Sequence, residues 1–478
     1  MNIVLAGIIA WILIQLLIGV VVSRRVTTEA DYLVAGRRLG FGIATFSIFA
    51  TWFGAETCIG SAGAVYEGGL SRGSSDPFGY AVCLVLMGFV FAVPLWRRKL
   101  TTLADLFRER FSVNVERLAV IMMVPTSILW AAAQVRAFGQ VLATASGLEV
   151  SVTIAIATGV VILYTAFGGL MADAVTDFVQ GISLAVGLVI ILVAVLYELG
   201  GAGPAVVAID PGRLRLFGEA GRPLLDGIES WAVPICGSVV AQELVARVIA
   251  TRSPGIARRA CLTGAGIYLA LGLIPVFIGL VGARLIPGLA DPETILPMVA
   301  RHLLPDVLYA VFAGALLSAI LSTVDSCVLS AAALTSHNLV VRLFPVMPDA
   351  RKVKVARWGV VIFGLVAYVL ATRAESVLAL VENASAFGSA GIFVIVLMGL
   401  FTRLGGSRAA MTSLVSGMTV WVIGNYLHGW PHPYLASLVA ATVGYLAVAF
   451  AEPRAGENLL AAPAIVPMPE RVPGDIDS

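Results

Sequence analysis

Five polar side chains lie close together within an apolar stretch of the chain. The stretch SAILSTVDSCVLSAA, residues 318–332, contains Ser318, Ser322, Thr323, Asp325 and Ser326. Residues three or four positions apart share one face of a helix, so Ser322, Asp325 and Ser326 are expected to face the same way. Serines alone would suit close helix packing, but the carboxylate would not. Oxygen ligands without His or Cys suit a hard cation. A mostly neutral oxygen set favours a monovalent cation, with sodium as the first candidate.

Other ionisable residues also fall inside apolar runs. They are Glu56, Arg136, Asp173, Asp177, Glu243 and Glu382, in addition to Asp325. A charged side chain at mid-membrane costs about 2.5 to 3.5 kcal/mol, and such residues usually face the bundle interior and mark a pathway. Asp177 and Asp325 lie deep in their runs, which favours a functional role. Asp173 and Glu243 lie near segment ends, so an interfacial position or a structural ion pair is an equal alternative.

The composition predicts an all-α membrane protein. Of the 478 residues, 59% are hydrophobic and only 13% are charged, about half the charged fraction of a soluble protein. The net charge of +2 gives no basis for binding nucleic acid. Spanning an apolar core about 30 Å thick takes about twenty helical residues. By that rule we expect about 13 transmembrane helices, at 2–23, 41–69, 77–96, 118–145, 150–168, 172–198, 229–250, 258–286, 306–338, 353–371, 376–402, 409–428 and 433–451.

Residues 1–452 are expected to form a single transmembrane domain, followed by a polar cytoplasmic tail at 453–478. Two segments look interrupted: ATWFGAETCIGSAGAVYEGG places glycines around Glu56, and PICGSVVAQELVAR places Pro234 and Gly237 before Glu243. Broken helices at matching positions in two halves indicate the inverted repeat of a transporter. We therefore expect a five-plus-five inverted repeat, with 41–198 as the first repeat and 229–402 as the second. The alternative is that membrane helices tolerate Gly and Pro without such a role.

The distribution of basic residues predicts the orientation of the chain. The connections after segments one, three, seven and nine are rich in Lys and Arg, whereas the alternate connections are sparse. The basic residues of the rich connections are Arg24, Arg25, Arg37, Arg38, Arg97, Arg98, Lys99, Arg108, Arg110, Arg117, Arg247, Arg252, Arg258, Arg259, Arg342, Arg351, Lys352, Lys354 and Arg357. By the positive-inside rule we expect the N-terminus outside and the C-terminus in the cytoplasm. The expected location is the plasma (inner) membrane.

Several functional classes lack the motifs they need. The chain has no GxxxxGK[ST] phosphate loop for ATP-driven pumping and no HExxH zinc-protease motif, so we do not expect an enzyme. The four histidines all lie near segment ends, which gives little support to a histidine proton relay. Proton coupling through Asp177 or Asp325 stays open as an alternative. A channel would need a continuous polar lining rather than isolated polar sites.

Longer stretches of the chain resemble the sodium:solute symporter family. They are DYLVAGRRLG, ATWFGAETCIGSAGAVYEGG, LADLFRERF, LYTAFGGLMADAVTDFVQG and SAILSTVDS, and the resemblance runs over nearly the whole chain. It implies thirteen helices built on the five-plus-five repeat, with sodium-driven alternating access and Na⁺ as the coupling ion. The implied sodium ligands are the carbonyls of Ala50, Phe53 and Ala319 and the hydroxyls of Ser322 and Thr323. Some members hold a second sodium, which here would involve Asp177, Ser322, Asp325 and Ser326.

Within this family the chain is most similar to the choline-transporter branch. The similarity rests on ATW, AVY, LWAAA and the STVDS helix. A quaternary ammonium is held by an aromatic cage, and Trp52, Tyr80 and Trp130 match three walls of such a cage. The branch carries a tryptophan where this chain has Ala241, so one wall is missing. The resemblance therefore implies a related site with a different solute.

Two charged residues also depart from that branch, which has small neutral residues in place of Glu56 and Arg136. An interior arginine repels a cation and can hold a carboxylate bidentately. We therefore predict a sodium-coupled symporter of a small carboxylate or amino-acid-like zwitterion, whose amine meets Glu56 or Glu243. Thr57 and Gln242 complete the candidate solute site, and a choline-like quaternary ammonium is the alternative solute. Arg136 lies six residues after the tryptophan of LWAAA, so the two face different sides of a regular helix. The expected partners are the solute and the lipid bilayer, and a monomer is sufficient for this function.

Overall fold

The computed structural model describes residues 26–216, 224–344, 346–374 and 376–451, with scattered residues between 7 and 22. The first predicted segment, 2–23, lies largely outside the described residues, and the predicted tail at 453–478 lies wholly outside them. Helices make up nearly all of the described chain; a single bridge joins Leu39 to Thr251. The prediction of an all-α membrane protein is confirmed.

Seventeen helices are used below. In chain order they are α1 (Glu29–Val34), α2 (Phe41–Trp52), α3 (Glu56–Gly68), α4 (Ser75–Arg97), α5 (Leu103–Arg110), α6 (Val113–Ser146), α7 (Val150–Glu198), α8 (Leu224–Gly237), α9 (Gln242–Ile249), α10 (Pro254–Leu285), α11 (Ile295–Leu303), α12 (Asp306–Val341), α13 (Asp349–Arg373), α14 (Val377–Ala386), α15 (Ser389–Phe401), α16 (Ser407–Val422) and α17 (Pro433–Ala451). Shorter helical turns lie at Ala35–Arg37, Leu70–Gly73, Ala202–Val207, Pro211–Leu214, Pro292–Thr294 and Ile423–Leu427.

Within the described ranges, seven helices are long and apolar enough to cross a membrane, and ten spans result if each bent pair is counted as one. The full number of thirteen and the inverted repeat stay predictions. The two predicted segments 150–168 and 172–198 form the single element α7, which breaks at Gly169 with φ 61° and ψ 178°. Only glycine adopts that backbone readily, and a β-carbon there would stand 2.7 Å from the ring of Tyr32.

Both predicted helix breaks are present. α2 and α3 meet at 50°, and α8 and α9 meet at 43°. A third, unpredicted break separates α14 from α15 at 41°. It follows Phe387 and is made at Gly388, whose φ is 68°. The glycine in FGSAG marked this position, but isolated glycines are frequent in membrane helices and do not by themselves predict a break.

The centre of the bundle is formed where α2, α6, α7 and α12 pack together. Of the most apolar 18-residue stretch of α12, 83% is buried inside the protein, which is the highest share among the seven long spans of the described chain. This helix carries the hydroxyl cluster of residues 318–326. The cluster therefore faces other helices on nearly every side, and its polar groups need partners within the protein.

Connections predicted to be cytoplasmic meet at one end of the bundle. The Arg37 guanidinium donates to the carbonyl oxygens of Ile249 at 3.2 Å and of Lys99 and Leu100 at 2.7 Å each. Arg37 therefore joins the connections that precede α2, α5 and α10. At the same end, Thr102 and Asp105 form a capping box that begins α5, which satisfies two backbone N–H groups reciprocally.

Candidate functional site

The last turn of α2, just before the first helix break, supplies a carbonyl oxygen to the centre of the bundle. α2 ends at Trp52, and Phe53 leaves helical geometry with φ −85° and ψ 69°. The hydroxyl of Thr323 on α12 lies 3.3 Å from the carbonyl oxygen of Ala50 and 3.4 Å from that of Ala319. The structure thus brings oxygen atoms of α2 and of α12 together around Thr323, and Phe53 lies at the break itself.

Ser322 connects this oxygen cluster to α7. Its hydroxyl donates to Oδ1 of Asp177, and both residues are fully buried. A hydroxyl that donates its proton to a carboxylate keeps its oxygen lone pairs available. Ser322 can therefore still offer an oxygen to a cation bound beside Thr323.

Gly54 keeps the oxygen cluster open toward a neighbouring carboxyl group. A β-carbon on Gly54 would stand 2.7 Å from the Thr323 hydroxyl, 2.7 Å from Gln134 Oε1 and 3.0 Å from Glu56 Oε2. Because all three atoms lie within 3.0 Å of one point, the Thr323 hydroxyl and the Glu56 carboxyl are neighbours at this backbone position. Any larger residue at this position would push into both groups.

Three aromatic rings pack beside the break. The ring of Trp52 lies 4.6 Å from that of Trp130 and 5.8 Å from that of Tyr80, and the rings of Tyr80 and Trp130 are 6.2 Å apart. All three are buried. They come from α2, α4 and α6, so the rings join the break to two neighbouring helices.

Glu56 is held by a glutamine that the sequence analysis did not single out. Gln134 Nε2 donates to Glu56 Oε2 at 2.6 Å, and Gln134 Oε1 accepts from the backbone N–H of Ala55 at 2.8 Å. The other carboxyl oxygen, Glu56 Oε1, is buried and has no hydrogen-bond partner among the residues described. Gln134 lies one helical turn after Trp130, so it shares a face of α6 with that ring.

A second buried carboxyl group near the break was also missed. Asp76, at the start of α4, accepts from the Thr57 hydroxyl at 2.7 Å and from the Tyr268 hydroxyl at 3.0 Å. The hydroxyls of Thr57 and Tyr268 are themselves 2.8 Å apart. In the sequence Asp76 lies in the polar run SRGSSDP, just before the predicted transmembrane segment 77–96. Polar residues at such a position are usually assigned to a loop.

The remaining candidate solute residues lie elsewhere. Arg136 lines a cavity of about 440 Å³ together with Asp291 and Thr294, and its Nη1 lies 3.5 Å from the carbonyl oxygen of Ala371. Arg136 therefore does not hydrogen-bond with Glu56. This agrees with its spacing of six residues from Trp130, which places the two side chains on different sides of α6. Gln242 Oε1 accepts from the backbone N–H of Leu103 at 2.8 Å, at the start of α5.

Glu243, unlike Gln242, is hydrogen-bonded to the face of α6 that carries Trp130. Its Oε1 accepts from the Ser127 hydroxyl at 2.5 Å. Ser127, Trp130 and Gln134 are three and four residues apart and share one face of α6. This face therefore contacts one acidic residue from each broken helix pair, Glu56 at one end and Glu243 at the other.

The predicted second sodium site contains an arginine that was expected in a loop. Arg247 of α9 is fully buried, because its guanidinium pairs with Asp173 at 2.7 Å and Asp177 at 3.1 Å. It also donates to the hydroxyl oxygens of Ser47, at 2.9 Å, and Ser326. The structure therefore gathers Asp177 and Ser326 as predicted, but around a guanidinium.

Asp325 does not join this ion pair directly. Its Oδ1 accepts from the Thr165 hydroxyl at 2.6 Å, and its buried Oδ2 has no hydrogen-bond partner within the described ranges. Glu382, which was expected to face the interior, lies instead on the exposed surface of α14. A run of apolar neighbours cannot by itself fix which face of a helix is exposed.

The chain is similar to known proteins in sequence and in fold. The family model described as the sodium:solute symporter family matches residues 32–417. The high affinity choline transporter 1 of Homo sapiens is 28% identical over 464 residues, which cover 91% of this chain and 78% of that protein. The high-affinity proline transporter PutP of Bacillus subtilis (strain 168) is 27% identical over 432 residues, covering 86% and 89%. A solved Na⁺-coupled sialic acid symporter superposes with a TM-score of 0.81 at 18% identity, covering 93% of this chain and 95% of that one, and this likeness concerns the fold alone.

Proposed function

This chain belongs to the sodium:solute symporter family, and we propose that it is a sodium-coupled symporter that imports a small organic solute by alternating access. The observation that carries the proposal is the position of Thr323, whose hydroxyl lies within 3.4 Å of carbonyl oxygens from both the last turn of α2 and α12. Such neutral oxygen atoms are ligands that suit a sodium ion.

The proposed sodium site consists of the carbonyls of Ala50, Phe53 and Ala319 and the hydroxyls of Ser322 and Thr323. Its ligands come from two separate elements, so sodium would hold the end of α2 against α12. Because a β-carbon on Gly54 would contact both Thr323 and Glu56, the proposed sodium site and the Glu56 carboxyl are neighbours. This adjacency supports coupling of sodium and solute binding, which must be reciprocal in free energy.

The proposed solute site is the aromatic group of Trp52, Tyr80 and Trp130 with Glu56 and Thr57. The expectation of a carboxylate solute rested on Arg136, and Arg136 lines a different cavity. The expectation of an amine rested on Glu56, which does lie at the helix break beside these rings. The geometry therefore supports the amine part of the proposed zwitterion and leaves its carboxylate without a basic partner at this site.

A second sodium at Asp177, Ser322, Asp325 and Ser326 would have to share the space with the guanidinium of Arg247. Asp173 and Asp177 together face this one positive charge, so the charge balance does leave room for a further cation. Proton coupling through Asp177 or Asp325 is kept as the second candidate, because Asp325 Oδ2 has no partner among the described side chains and backbone.

The protein is an integral membrane protein, and we place it in the plasma (inner) membrane as a functional monomer. The N-terminus is proposed to lie outside and the C-terminus in the cytoplasm. This orientation is supported by the way Arg37 joins three of the connections richest in basic residues at one end of the bundle.

Sodium binding tests the proposal without knowledge of the solute. A ligand that binds only the folded protein raises its melting temperature, so sodium should stabilise the purified protein more than potassium does at equal ionic strength. The double variant Ser322→Ala/Thr323→Ala should lose this difference. Ser330→Ala is the matched control, because it removes another buried hydroxyl of α12 outside the proposed site.

The matching transport measurement uses proteoliposomes and radiolabelled solutes, screened with and without a sodium gradient. Uptake should require sodium in the wild type and in Ser330→Ala, and it should disappear in the double variant. Equal sodium stabilisation and sodium-independent uptake in the double variant would contradict the proposed function. Uptake driven by a pH gradient in sodium-free buffer would favour the proton-coupled alternative.

A further inference from the structure

The first helix break is surrounded by what we call the aromatic–acid cluster, made of Trp52, Tyr80, Trp130, Glu56 and Asp76. All five side chains are buried, each with at most 4% of its surface exposed. Among the described residues, no Lys, Arg or His pairs with either carboxyl group. The cluster therefore concentrates carboxyl groups in a region enclosed by protein.

The charge of this cluster selects the sign of its ligand. A buried carboxylate without a positive partner is costly, and a bound cation offsets that cost. A solute carboxylate would meet two acidic groups here, and Arg136, which could have held it, lines a separate cavity with Asp291. The cluster thus favours a cation that carries no carboxylate.

The hydrogen bonds of the two acids select the kind of cation. Both oxygens of Asp76 have donors, from Thr57 and Tyr268. Glu56 Oε2 accepts from Gln134, but the buried Glu56 Oε1 has no donor in the described part of the chain. Leaving a buried acceptor unsatisfied costs free energy, so an N–H group of the ligand would be favoured at Oε1. A quaternary ammonium has no N–H group and cannot satisfy it.

The aromatic rings suit the rest of such a ligand. Trp52, Tyr80 and Trp130 present ring faces and edges whose centroids lie 4.6 to 6.2 Å apart. Aromatic rings attract ammonium groups and their apolar substituents. They place no requirement on the number of methyl groups, so the requirement for an N–H comes from Glu56.

We propose that the solute is a small protonated amine that keeps at least one N–H bond and bears no carboxylate, with Glu56 Oε1 accepting from that N–H. This inference rests on the proposed function, in which the cluster is the solute site of a symporter. It narrows the zwitterion expected from the sequence to its amine end. It also separates this solute from the quaternary ammonium of a choline-like transporter.

A methylation series tests the inference with the purified full-length protein at saturating sodium. Ethanolamine, N-methylethanolamine and N,N-dimethylethanolamine are protonated at neutral pH and keep an N–H, whereas choline does not. The dissociation constants are measured by thermal-shift titration. We expect the first three to agree within a few-fold and choline to bind about tenfold more weakly or worse, because Glu56 then lacks a donor. Glycine and proline, which add a carboxylate, should bind more weakly than ethanolamine.

Variants of the carboxyl group locate the effect. Glu56→Gln should weaken the first three amines about tenfold or more and remove their advantage over choline. Glu56→Asp keeps the charge and provides a second test if Glu56→Gln does not fold, since it should retain the advantage at lower affinity. Glu67→Gln is the matched control on the same helix, because Glu67 pairs with Arg72 at the surface with 58% of its side chain exposed.

Three results would overturn the inference. The first is choline binding as tightly as N,N-dimethylethanolamine, and the second is a zwitterion binding more tightly than every amine. The third is no binding of any amine, either in this series or in a second methylation series that runs from benzylamine to benzyltrimethylammonium. Sodium stabilisation measured without any amine keeps the two proposals apart. If sodium stabilises the wild type but the series fails, only the solute class is wrong. If the series behaves as expected without any sodium effect, the sodium-coupled function is wrong and the solute class stands.

Discussion

Tyr268 and Tyr309 both place a phenol inside the helix bundle, yet their hydroxyls have different surroundings. The Tyr268 hydroxyl lies 3.0 Å from Asp76 and 2.8 Å from Thr57. The Tyr309 hydroxyl is buried without a hydrogen-bond partner among the described atoms. Removing a hydroxyl is costly only where it leaves a buried partner unsatisfied. The two residues therefore form a natural pair for measuring the contribution of the Asp76 network.

We expect Tyr268→Phe to lower the free energy of unfolding by about 1–3 kcal/mol, because Asp76 then loses a donor in a buried position. Tyr309→Phe keeps the ring and loses no hydrogen bond, so its melting temperature should stay close to that of the wild type. Thermal melting of both variants in the same detergent and at saturating sodium checks this. Equal losses in the two variants would show that the Asp76 network contributes nothing to stability.

At the scale of helices, the sequence predicted the positions of breaks better than the contacts made at them. Glycines around Glu56 and Pro234 with Gly237 marked the first two breaks, because such residues free backbone groups that membrane helices otherwise satisfy internally. The third break, at Gly388, had only isolated glycines as a signal. Likewise Arg247 follows Glu243 by one helical turn and was counted as a loop residue, since a positive charge near a segment end usually belongs to the membrane surface.

The site residues likewise include some that the sequence could predict and others that it could not. The positions of Ser322 and Thr323 followed from their spacing on one helix face and from the family resemblance. Asp76 and Gln134 could not be found in this way, because each gains its role from a contact with a distant helix. Arg136 illustrates the opposite error, since burial in an apolar run shows that a residue needs a partner without showing which partner it has.

Arg247 joins α9 to three other helices, and its charge leads to a prediction about cations. The variant Arg247→Gln leaves Asp173 and Asp177 without their positive partner, and removing one member of a buried ion pair costs about 3–5 kcal/mol. Sodium should therefore stabilise Arg247→Gln more than it stabilises the wild type, because the ion can supply the missing positive charge. The difference in melting temperature between sodium and potassium buffers measures this for each protein.

The double variant Arg247→Gln/Asp173→Asn is the control for that experiment. Neutralising Asp173 removes part of the uncompensated charge, so the double variant should recover stability and show a smaller gain from sodium than Arg247→Gln. An equal gain in the wild type and both variants would mean that these carboxyl groups do not bind sodium. The expected second sodium site would then have to be given up.

At the scale of the whole molecule, a polar network at the end predicted to be cytoplasmic ties several elements together. Asp105 of α5 lies 3.3 Å from the His337 ring, near the C-terminal end of α12, and 3.1 Å from Arg342, which directly follows that helix. His337 also contacts Glu29 of α1 at 2.9 Å. The amide of Asn338 donates to Asp105 at 3.0 Å. Since α12 carries the proposed sodium ligands near its middle, this network anchors the same helix at its C-terminal end.

The protonation of Asp105 gives the network a defined pH dependence. Burial raises the pKa of the Asp105 carboxyl, but the His337 ring and the backbone N–H groups of Thr101 and Thr102 outweigh burial, so the pKa lies well below its usual value. A carboxyl group whose pKa is lowered by folding stabilises the protein above its unfolded pKa, and this contribution is lost as the pH falls through the folded pKa. The contribution is therefore complete at neutral pH and begins to disappear below about pH 4.

We expect Asp105→Asn to melt at a lower temperature than the wild type at pH 7, since it leaves Arg342 and His337 without their carboxylate, at a cost of about 1–3 kcal/mol. The gap should narrow as the pH falls below about 4, because the unfolded wild type then binds a proton at Asp105 that the folded protein, with its lowered pKa, does not bind, so the carboxylate contributes less and less to stability. Asp306→Asn is the control: Asp306 pairs with Arg301 with 63% of its side chain exposed, and exposed ion pairs contribute little. Melting curves of the three proteins across this pH range test the assignment. A gap that stays constant, or that widens in acid, would show that the Asp105 carboxylate does not anchor α12.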